Sequence, residues 1–291
     1  MRLARIARLL VPLLVISVAA ATAVFADEAD AARLEALRQA VSQIGQPDAP
    51  AALPAQVCWS PHERFSPAGK VAEVLYAPRL LVARYDHVPV QQDTPCQAVW
   101  LHDGQPLSMG ECLLQPGVGF VTNGIRRQES PLLPGVYCVV FRAGEQNLAA
   151  AEIRVMPPAP LGQRPVKDVY LAATLGVQRA LQQVDQAQAQ AAATEASQAL
   201  PLLATVVMAR PDDGDAAAML ELAHAIVAVG RMEATAAGQQ TAAALDWAER
   251  AAAHARTAEG LAADAKFKAT CKQMADTLQQ ALPKLSGAAA G

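Results

Sequence analysis

Most signatures of a defined chemical activity are missing from this sequence. It contains no G-x-S-x-G elbow, no Ser-x-x-Lys pair, no glycine-rich phosphate loop and no C-x-x-C-H haem attachment. His62-Glu63 lacks the second histidine of the H-E-x-x-H zinc motif. The other histidines stand apart in sequence: His87, His102, His224 and His254. The sequence therefore predicts no catalytic, cofactor-binding or metal-binding residue, unless residues distant in sequence converge in the fold.

An excess of positive charge is also missing. The formal net charge is −3, from 24 Lys and Arg against 27 Asp and Glu. A mildly acidic chain without a basic stripe is a poor ligand for nucleic acid or for an anionic membrane. We therefore expect neither as a partner.

The N-terminal segment has the pattern of a secretion signal. Arg2, Arg5 and Arg8 form a basic region, and an apolar run from Leu9 to Val18 follows it. Small residues then lead to a cleavage site after Ala26, with a competing site after Ala23. An uncleaved anchor is the alternative, because roughly 18 to 20 apolar residues can span a bilayer. We expect residues 1–26 to be removed and the mature chain to be periplasmic or secreted, with no membrane span.

The mature chain divides by its pattern of proline and hydrophobic residues. Residues 27–45 read as a short amphipathic helix, and residues 46–56 as a proline-rich linker. Residues 57–156 show short runs of period two separated by turn residues, which predicts a small β-sandwich. A second proline-rich linker, 157–165, precedes a helical region over 166–285, and we expect 286–291 to be a disordered tail. The predicted fold class is a small antiparallel β-sandwich followed by an antiparallel α-helical bundle.

Individual strands in the β region can be argued from turns and alternation. Cys96 to His102 runs into Asp103-Gly104, a dipeptide that tolerates positive φ, so Leu107 to Leu114 is its return strand. The last strand, Ala149 to Val155, alternates as a half-buried strand does. Three further runs complete the list: Val71 to Tyr76, Leu80 to Tyr85 and Val136 to Phe141. A turn at 143–146 leads from the last of these into Ala149 to Val155.

Four cysteines fall in the β region, and an exported domain favours disulfides. A single bulge in the hairpin would place Cys96 directly opposite Cys112, which would leave Cys58 to pair with Cys138. Four cysteines allow three connectivities, so this pairing is one hypothesis among them. Cys271 is the odd cysteine. Its flanking lysines could lower the thiol pKa, while burial would make it a structural residue.

The β region resembles the immunoglobulin-like modules of exported bacterial proteins. The residues that carry this resemblance are Ala98-Val99-Trp100, Asp103-Gly104, the run from Pro134 to Tyr137, and the closing run Ile153-Arg154-Val155. The resemblance implies that Trp100 is the buried strand tryptophan and Tyr137 a corner tyrosine. It implies a fold and a compartment, and no activity.

The helical region shows four or five helices. One is expected from Val169 to about Ala199, one around Leu220 to Gly230, and two more over Ala242 to Ala255 and Leu261 to Leu282. Leu222, Ala223, Ile226 and Gly230 resemble the first helix of a tetratricopeptide unit, but no 34-residue period recurs. The acidic turn between helices carries Asp212, Asp213 and Asp215, a cluster that we interpret by helix capping and solvation rather than as a calcium site. Either Asp213 or Asp215 is the expected N-cap.

Two strands of the β region are apolar on both faces, which is unusual for a sheet with one face in water. Val99 and Leu101 lie opposite Trp100, and Val140 lies opposite Val139 and Phe141. We therefore predict that Val99, Leu101 and Val140 form an interface, covered by the helical region or by a partner.

Two classes of function remain open. The first is a non-enzymatic binding or scaffold protein whose partner is another envelope or extracellular protein or a glycan. The second is an extracytoplasmic enzyme whose site is assembled at the domain cleft from residues distant in sequence. Convergence of His62, Glu63, Asp86, His87 or His102 would favour the enzyme.

Overall fold

The computed structural model describes residues 56–60, 74–87, 89–127, 130–144 and 146–289. The predicted signal peptide, the predicted helix over 27–45 and nearly all of the linker over 46–56 lie outside these residues, as do His62 and Glu63. The described chain consists of eight strands followed by five helices, so the fold is β plus α, as predicted.

The strands form two sheets. In chain order they are β1 (Gln56–Ser60), β2 (Leu75–Tyr76), β3 (Leu80–Asp86), β4 (Thr94–His102), β5 (Gln105–Leu114), β6 (Phe120–Arg126), β7 (Gly135–Ala143) and β8 (Gln146–Met156). One sheet has the order β1-β3-β6 and the other β2-β8-β7-β4-β5. The pairing of β2 with β8 is parallel, so the larger sheet is mixed rather than wholly antiparallel.

The two sheets enclose one core. The smaller sheet contributes Leu81, Tyr85 and Ile125, which lie in the same cluster as Trp100 and Phe141 of the larger sheet. Trp100 is 0% exposed and its indole N–H donates to Asn123 Oδ1 at 3.0 Å, so the one polar atom of this side chain is satisfied. Strands β1 and β6 were not predicted one by one. Asn123 and Gly124 weaken the strand signal of β6.

The hairpin of β4 and β5 has the predicted turn and the predicted bulge. Asp103 and Gly104 take φ values of 48° and 79°, as a type I′ turn requires. The register shifts between Trp100 and Leu101 and leaves Leu107 as the extra residue, so that Cys96 lies directly opposite Cys112.

The five helices are α1 (Val166–Asp185), α2 (Ala189–Ala209), α3 (Gly214–Ala237), α4 (Thr241–Leu261) and α5 (Ala265–Ala289). The single helix that we expected over 169–199 is wrong, because the chain reverses at 186–188, where Ala187 has a φ of 64°. The turn contains neither glycine nor proline, so the local sequence does not predict it. Helix α5 also continues past 285 to Ala289, into the segment that we expected to be a disordered tail.

Each helix packs on its neighbours in sequence, and α1 also touches α3. No extensive contact joins α1 to α4 or to α5 among the described helices, so they form an open layer in which α3 is central. Helix α2 is long and apolar enough to cross a membrane by length and composition. Its apolar residues, such as Leu203 and Val206, instead pack in the core that α2 shares with α1 and α3.

The helical region is docked on one end of the β region. The rings of Tyr76 on β2 and His224 on α3 lie 6.3 Å apart. The Ala159 N–H donates to the Pro201 carbonyl of α2 at 2.9 Å, and the Arg79 guanidinium donates to the Pro211 carbonyl. Extensive contacts between the described helices and strands are confined to β2 and α2. This docking site is not the face of Val99, Leu101 and Val140 at which we had expected the helices.

Candidate functional site

A groove lies between α1 and α5, and α3 forms its floor. Its volume is about 370 Å³, within the range of roughly 300 to 1,000 Å³ that is usual for ligand pockets. The groove exists because α1 touches α3 on one side, while Ala275 and Leu278 of α5 share a hydrophobic cluster with Val229 and Met232 of α3 on the other. Among the described helices, α1 and α5 make no extensive contact with each other. The concave face of an open helical layer is where such arrangements present a binding surface.

The two walls of the groove differ in polarity. Leu181 and Val184 of α1 form an apolar wall, and Val229 and Met232 of α3 form an apolar floor. The wall from α5 carries a stripe of neutral hydrogen-bonding residues, which we call the amide stripe: Thr270, Gln273, Thr277 and Gln280. The steps of three, four and three residues keep the stripe on one face of α5.

The remaining lining residues complete the groove on the α5 side. Met274, Leu278 and Ala281 lie between the amide stripe and the floor. Asp185 and Lys284 are the only ionisable residues of the lining. With one acid and one base, the groove carries no net formal charge.

Sequence reasoning missed the groove. For this part of the chain the sequence predicts only a helix over Leu261 to Leu282. The amide stripe is the sequence signal that could have revealed the groove. The solvent-facing side of a helix is usually charged and polar without a regular pattern. A regular stripe of uncharged polar residues beside the apolar stripe is therefore a sign of a binding surface. The position of α1 opposite that stripe depends on the unannounced turn at 186–188.

A second cluster of chemically capable residues lies between α3 and α4. His254 Nδ1 and Glu221 Oε2 are 2.7 Å apart, and the imidazole rings of His254 and His224 stack with centroids 5.0 Å apart. Asp246 and Arg250 of α4 form a buried ion pair at 3.7 Å. His224 and His254 are only 4% and 1% exposed. A substrate could therefore reach these rings only if the packed elements around them separated.

No metal site forms within the part of the chain that the structure describes. A search for three or more His, Cys, Asp or Glu side chains in metal-binding proximity finds none there. Asp213 is the helix cap in the α2–α3 turn, and it is one of the two residues that we named for this role. Asp213 Oδ1 accepts from the Ala216 N–H at 3.0 Å, and Asp215 Oδ1 accepts from the Ala263 and Asp264 N–H groups at the start of α5.

Four cysteines whose side chains the structure describes are free thiols: Cys96, Cys112, Cys138 and Cys271. Cys96 and Cys112 are directly opposite each other in the hairpin. Burial, together with the neighbouring Cys112, raises the pKa of Cys96 to about 12. The two sulfurs therefore have the placement that the predicted bridge needs, and the bridge itself remains a prediction.

The other two cysteines of the β region do not stand opposite each other. Cys58 is aligned with Arg84 in the smaller sheet. Cys138 belongs to the larger sheet and packs with Leu101 and Val140 on the face away from the shared core. Burial raises its pKa to about 12. The Cys58–Cys138 pairing stays a prediction that this arrangement does not favour.

The predicted interface residues are buried without an extensive contact from the described helices. Val99 is 8% exposed, Leu101 0% and Val140 1%. Their burial fits the expectation that this face is covered. Its role as an interface stays a prediction.

The candidate acid–base residues of the β region lie at opposite ends of the strands. Asp86 ends β3 and His87 follows it, on the side where β4 begins at Thr94. His102 ends β4, stacks on Tyr137 and contacts the Pro134 carbonyl. The eight steps from Thr94 to His102 correspond to about 26 Å of extended chain. The described members of this set therefore do not converge.

Comparison with models of protein families, with curated proteins and with solved structures gives no match to this chain. The candidate site must therefore be interpreted from its own geometry.

Proposed function

We propose that this chain is a non-enzymatic, extracytoplasmic binding protein that holds its ligand in the groove between α1 and α5. The groove itself is the observation that carries the proposal. It combines an apolar floor with one hydrogen-bonding wall, and a small number of polar groups on an apolar surface is the usual composition of a binding site. Its lining contains no cysteine, serine or histidine that could act as a nucleophile or a proton carrier near pH 7.

The distribution of the acid–base residues also favours binding over catalysis. In the β region Asp86 and His87 are separated from His102 by the length of β4. In the helical region His224 and His254 are buried between helices. These described histidines and Asp86 are thus either dispersed or enclosed, whereas the groove is open.

We propose that the β region is an immunoglobulin-like support for the helical region. Two features support this assignment. Trp100 is buried in a central strand, and the Tyr137 hydroxyl donates to the Leu133 carbonyl four residues upstream at 2.9 Å, as a corner tyrosine does. The contacts of Tyr76, Arg79 and Ala159 then fix the helical region on this support.

We further propose that the helical region is an antiparallel bundle opened into a layer, rather than a tetratricopeptide array. Helices α1, α3 and α5 begin at residues 166, 214 and 265, so the spacings are 48 and 51 residues. A tetratricopeptide unit repeats every 34 residues. The longer helices leave room for the groove.

The experiment measures binding of N-phenyl-1-naphthylamine, an apolar fluorophore whose emission rises in apolar surroundings, to the full mature chain. We expect the wild-type protein to enhance the emission. Met232→Arg, which places a charge on the floor, and Thr277→Trp, which fills the groove without a charge, should each abolish most of the enhancement.

Leu175→Arg is the matched control, because Leu175 is 47% exposed on α1 and lies outside the groove lining. This variant should bind the probe as the wild type does. Circular dichroism establishes that each variant is folded. A wild-type protein that leaves the emission unchanged, or folded groove variants that bind as well as the wild type, would disprove the proposal.

A further inference from the structure

We infer that the ligand of the groove is an extended, uncharged and largely apolar peptide segment of another protein, recognised through its backbone amides. This inference rests on the proposed binding function and names the class of ligand for the same site. It starts from the amide stripe, whose four residues span ten positions of α5. At 1.5 Å per residue this corresponds to about 15 Å of groove.

The chemistry of the amide stripe matches a peptide backbone. The side-chain amides of Gln273 and Gln280 each offer donors and an acceptor. The hydroxyls of Thr270 and Thr277 donate to the Lys266 and Gln273 carbonyls of their own helix, so they offer acceptors to a ligand. Every peptide unit likewise presents one donor and one acceptor. A single-chain lipid carries its polar group at one end only, so it would leave most of the stripe without partners.

The apolar side of the groove suits alternate side chains of such a segment. In an extended chain successive side chains point to opposite sides, so every second one can enter the floor at Val229 and Met232. The two methionines of the lining, Met232 and Met274, are unbranched and adapt to different shapes. The groove should therefore tolerate a range of apolar side chains.

Hydrogen bonding argues for an extended segment rather than a helix. A helix bonds its own backbone N–H and C=O groups internally, so it would leave the amide stripe without backbone partners. At about 3.3 Å per residue, 15 Å of groove accommodates roughly five extended residues. The balance of Asp185 and Lys284 gives no reason to expect a charged segment.

The experiment compares two synthetic pentapeptides on the full mature chain by displacement of N-phenyl-1-naphthylamine. One is acetyl-Leu-Ser-Leu-Ser-Leu-amide, and its twin carries N-methyl groups on both serines, which removes two backbone donors. We expect the wild-type protein to bind the parent peptide at least about tenfold more tightly than the twin, equivalent to about 1.4 kcal/mol.

Substitution of the amide stripe provides the second arm. The double variant Gln273→Leu with Gln280→Leu should lose about tenfold in affinity for the parent peptide and still bind the fluorophore. The matched control, Gln178→Leu with Gln182→Leu, alters two exposed glutamines of α1 outside the lining and should change neither affinity.

Two results would overturn the inference. Equal affinity for the parent and the methylated twin would show that backbone amides are not recognised. Displacement of the fluorophore by dodecanol but not by the peptide would assign the groove to a small amphiphile. In both cases fluorophore binding would leave the proposed function standing, whereas failure of the wild-type protein to bind the fluorophore would reject that function itself.

Discussion

The β region and the helical region of this protein fill their cores with side chains of different size. The β region depends on a few large side chains, among which Trp100, Phe141, Leu81 and Ile153 are almost completely buried. The helical region depends on many alanines, which make up about half of its buried apolar residues. The stability of the first is therefore concentrated in single side chains, and that of the second is spread over many close backbone contacts.

The difference follows from the geometry of each architecture. Face-to-face sheets lie about 10 Å apart, so long side chains must fill the space between them. Helices approach each other as closely as their contact residues permit. At Gly230 on α3 an added Cβ would lie 2.4 Å from the Ala193 Cβ of α2. The β region should thus be sensitive to lost volume, and the helical region to added volume.

Removing the largest side chain of the β region should have the largest effect. Trp100→Ala leaves a cavity and removes the N–H partner of Asn123, so we expect a loss of about 3 to 5 kcal/mol in the free energy of unfolding. Denaturant unfolding of the mature chain, followed by circular dichroism, measures it. Trp100→Phe separates the hydrogen bond from the volume and should lose less. A loss below about 1 kcal/mol for Trp100→Ala would show that this core is not concentrated in single side chains.

Closing the Cys96–Cys112 bridge should stabilise the β region by about 3 kcal/mol, the value for a loop of roughly 15 residues. The β region is the half that should respond to a reductant, because its two thiols stand face to face. Thermal unfolding of oxidised protein, with and without dithiothreitol, measures the difference. Cys112→Ser should remove the dependence on the reductant, and Cys271→Ser should keep it. If oxidised wild-type protein retains two titratable thiols at Cys96 and Cys112, the bridge does not form.

Adding one methyl group should distinguish a helix glycine that lies at a close helix contact from one that faces open space. Gly230→Ala forces α2 and α3 apart, and we expect a loss of about 1 to 3 kcal/mol in spite of the better helix propensity of alanine. Gly260→Ala on α4 is the matched control, because an added Cβ there meets nothing within 4 Å. That variant should be neutral or more stable by a few tenths of a kcal/mol. Equal effects of the two substitutions would contradict close packing at Gly230.

The sequence was informative where a local rule decides the structure. The Asp103-Gly104 turn, the bulge opposite it and the Asp213 cap each depend on a few neighbouring residues, and each was predicted correctly. The turn at Ala187 and the groove were not predicted, because both depend on tertiary packing. Ala187 adopts positive φ so that α1 and α2 can pair, and a residue without a turn preference gives no local sign of that requirement.

The alanines of the helical region also show what the sequence alone could not predict. The abundance of alanine in the sequence does not by itself predict helices, because nucleotide composition alone can supply it. In the folded chain, however, Ala173, Ala196, Ala223 and Ala251 are completely or almost completely buried at helix contacts. Composition could not distinguish an alanine that is needed for close packing from one that is not, because that distinction depends on which helix lies opposite.

The smallest effect on stability is expected at Cys271. Because this thiol lies in the tightly packed helical core, we expect it to be chemically inert. The flanking lysines suggested a lowered thiol pKa, but Cys271 is 0% exposed in the helical core and burial raises its pKa to about 11. At pH 8 a thiol with that pKa is about 0.1% thiolate, against about a quarter for a free cysteine, so alkylation should be slower by at least about 200-fold. Iodoacetamide labelling of native protein, read by mass spectrometry of the Cys271 peptide, measures the rate, and urea-unfolded protein is the reference.

Because the folded pKa of Cys271 lies above the unfolded value, the contribution of this thiol to stability is complete below about pH 8.5 and declines as the pH rises towards 11. If Cys271 is labelled under native conditions as fast as in the unfolded protein, α5 opens readily. The helical core around Cys271 would then be no more tightly packed than the groove beside it.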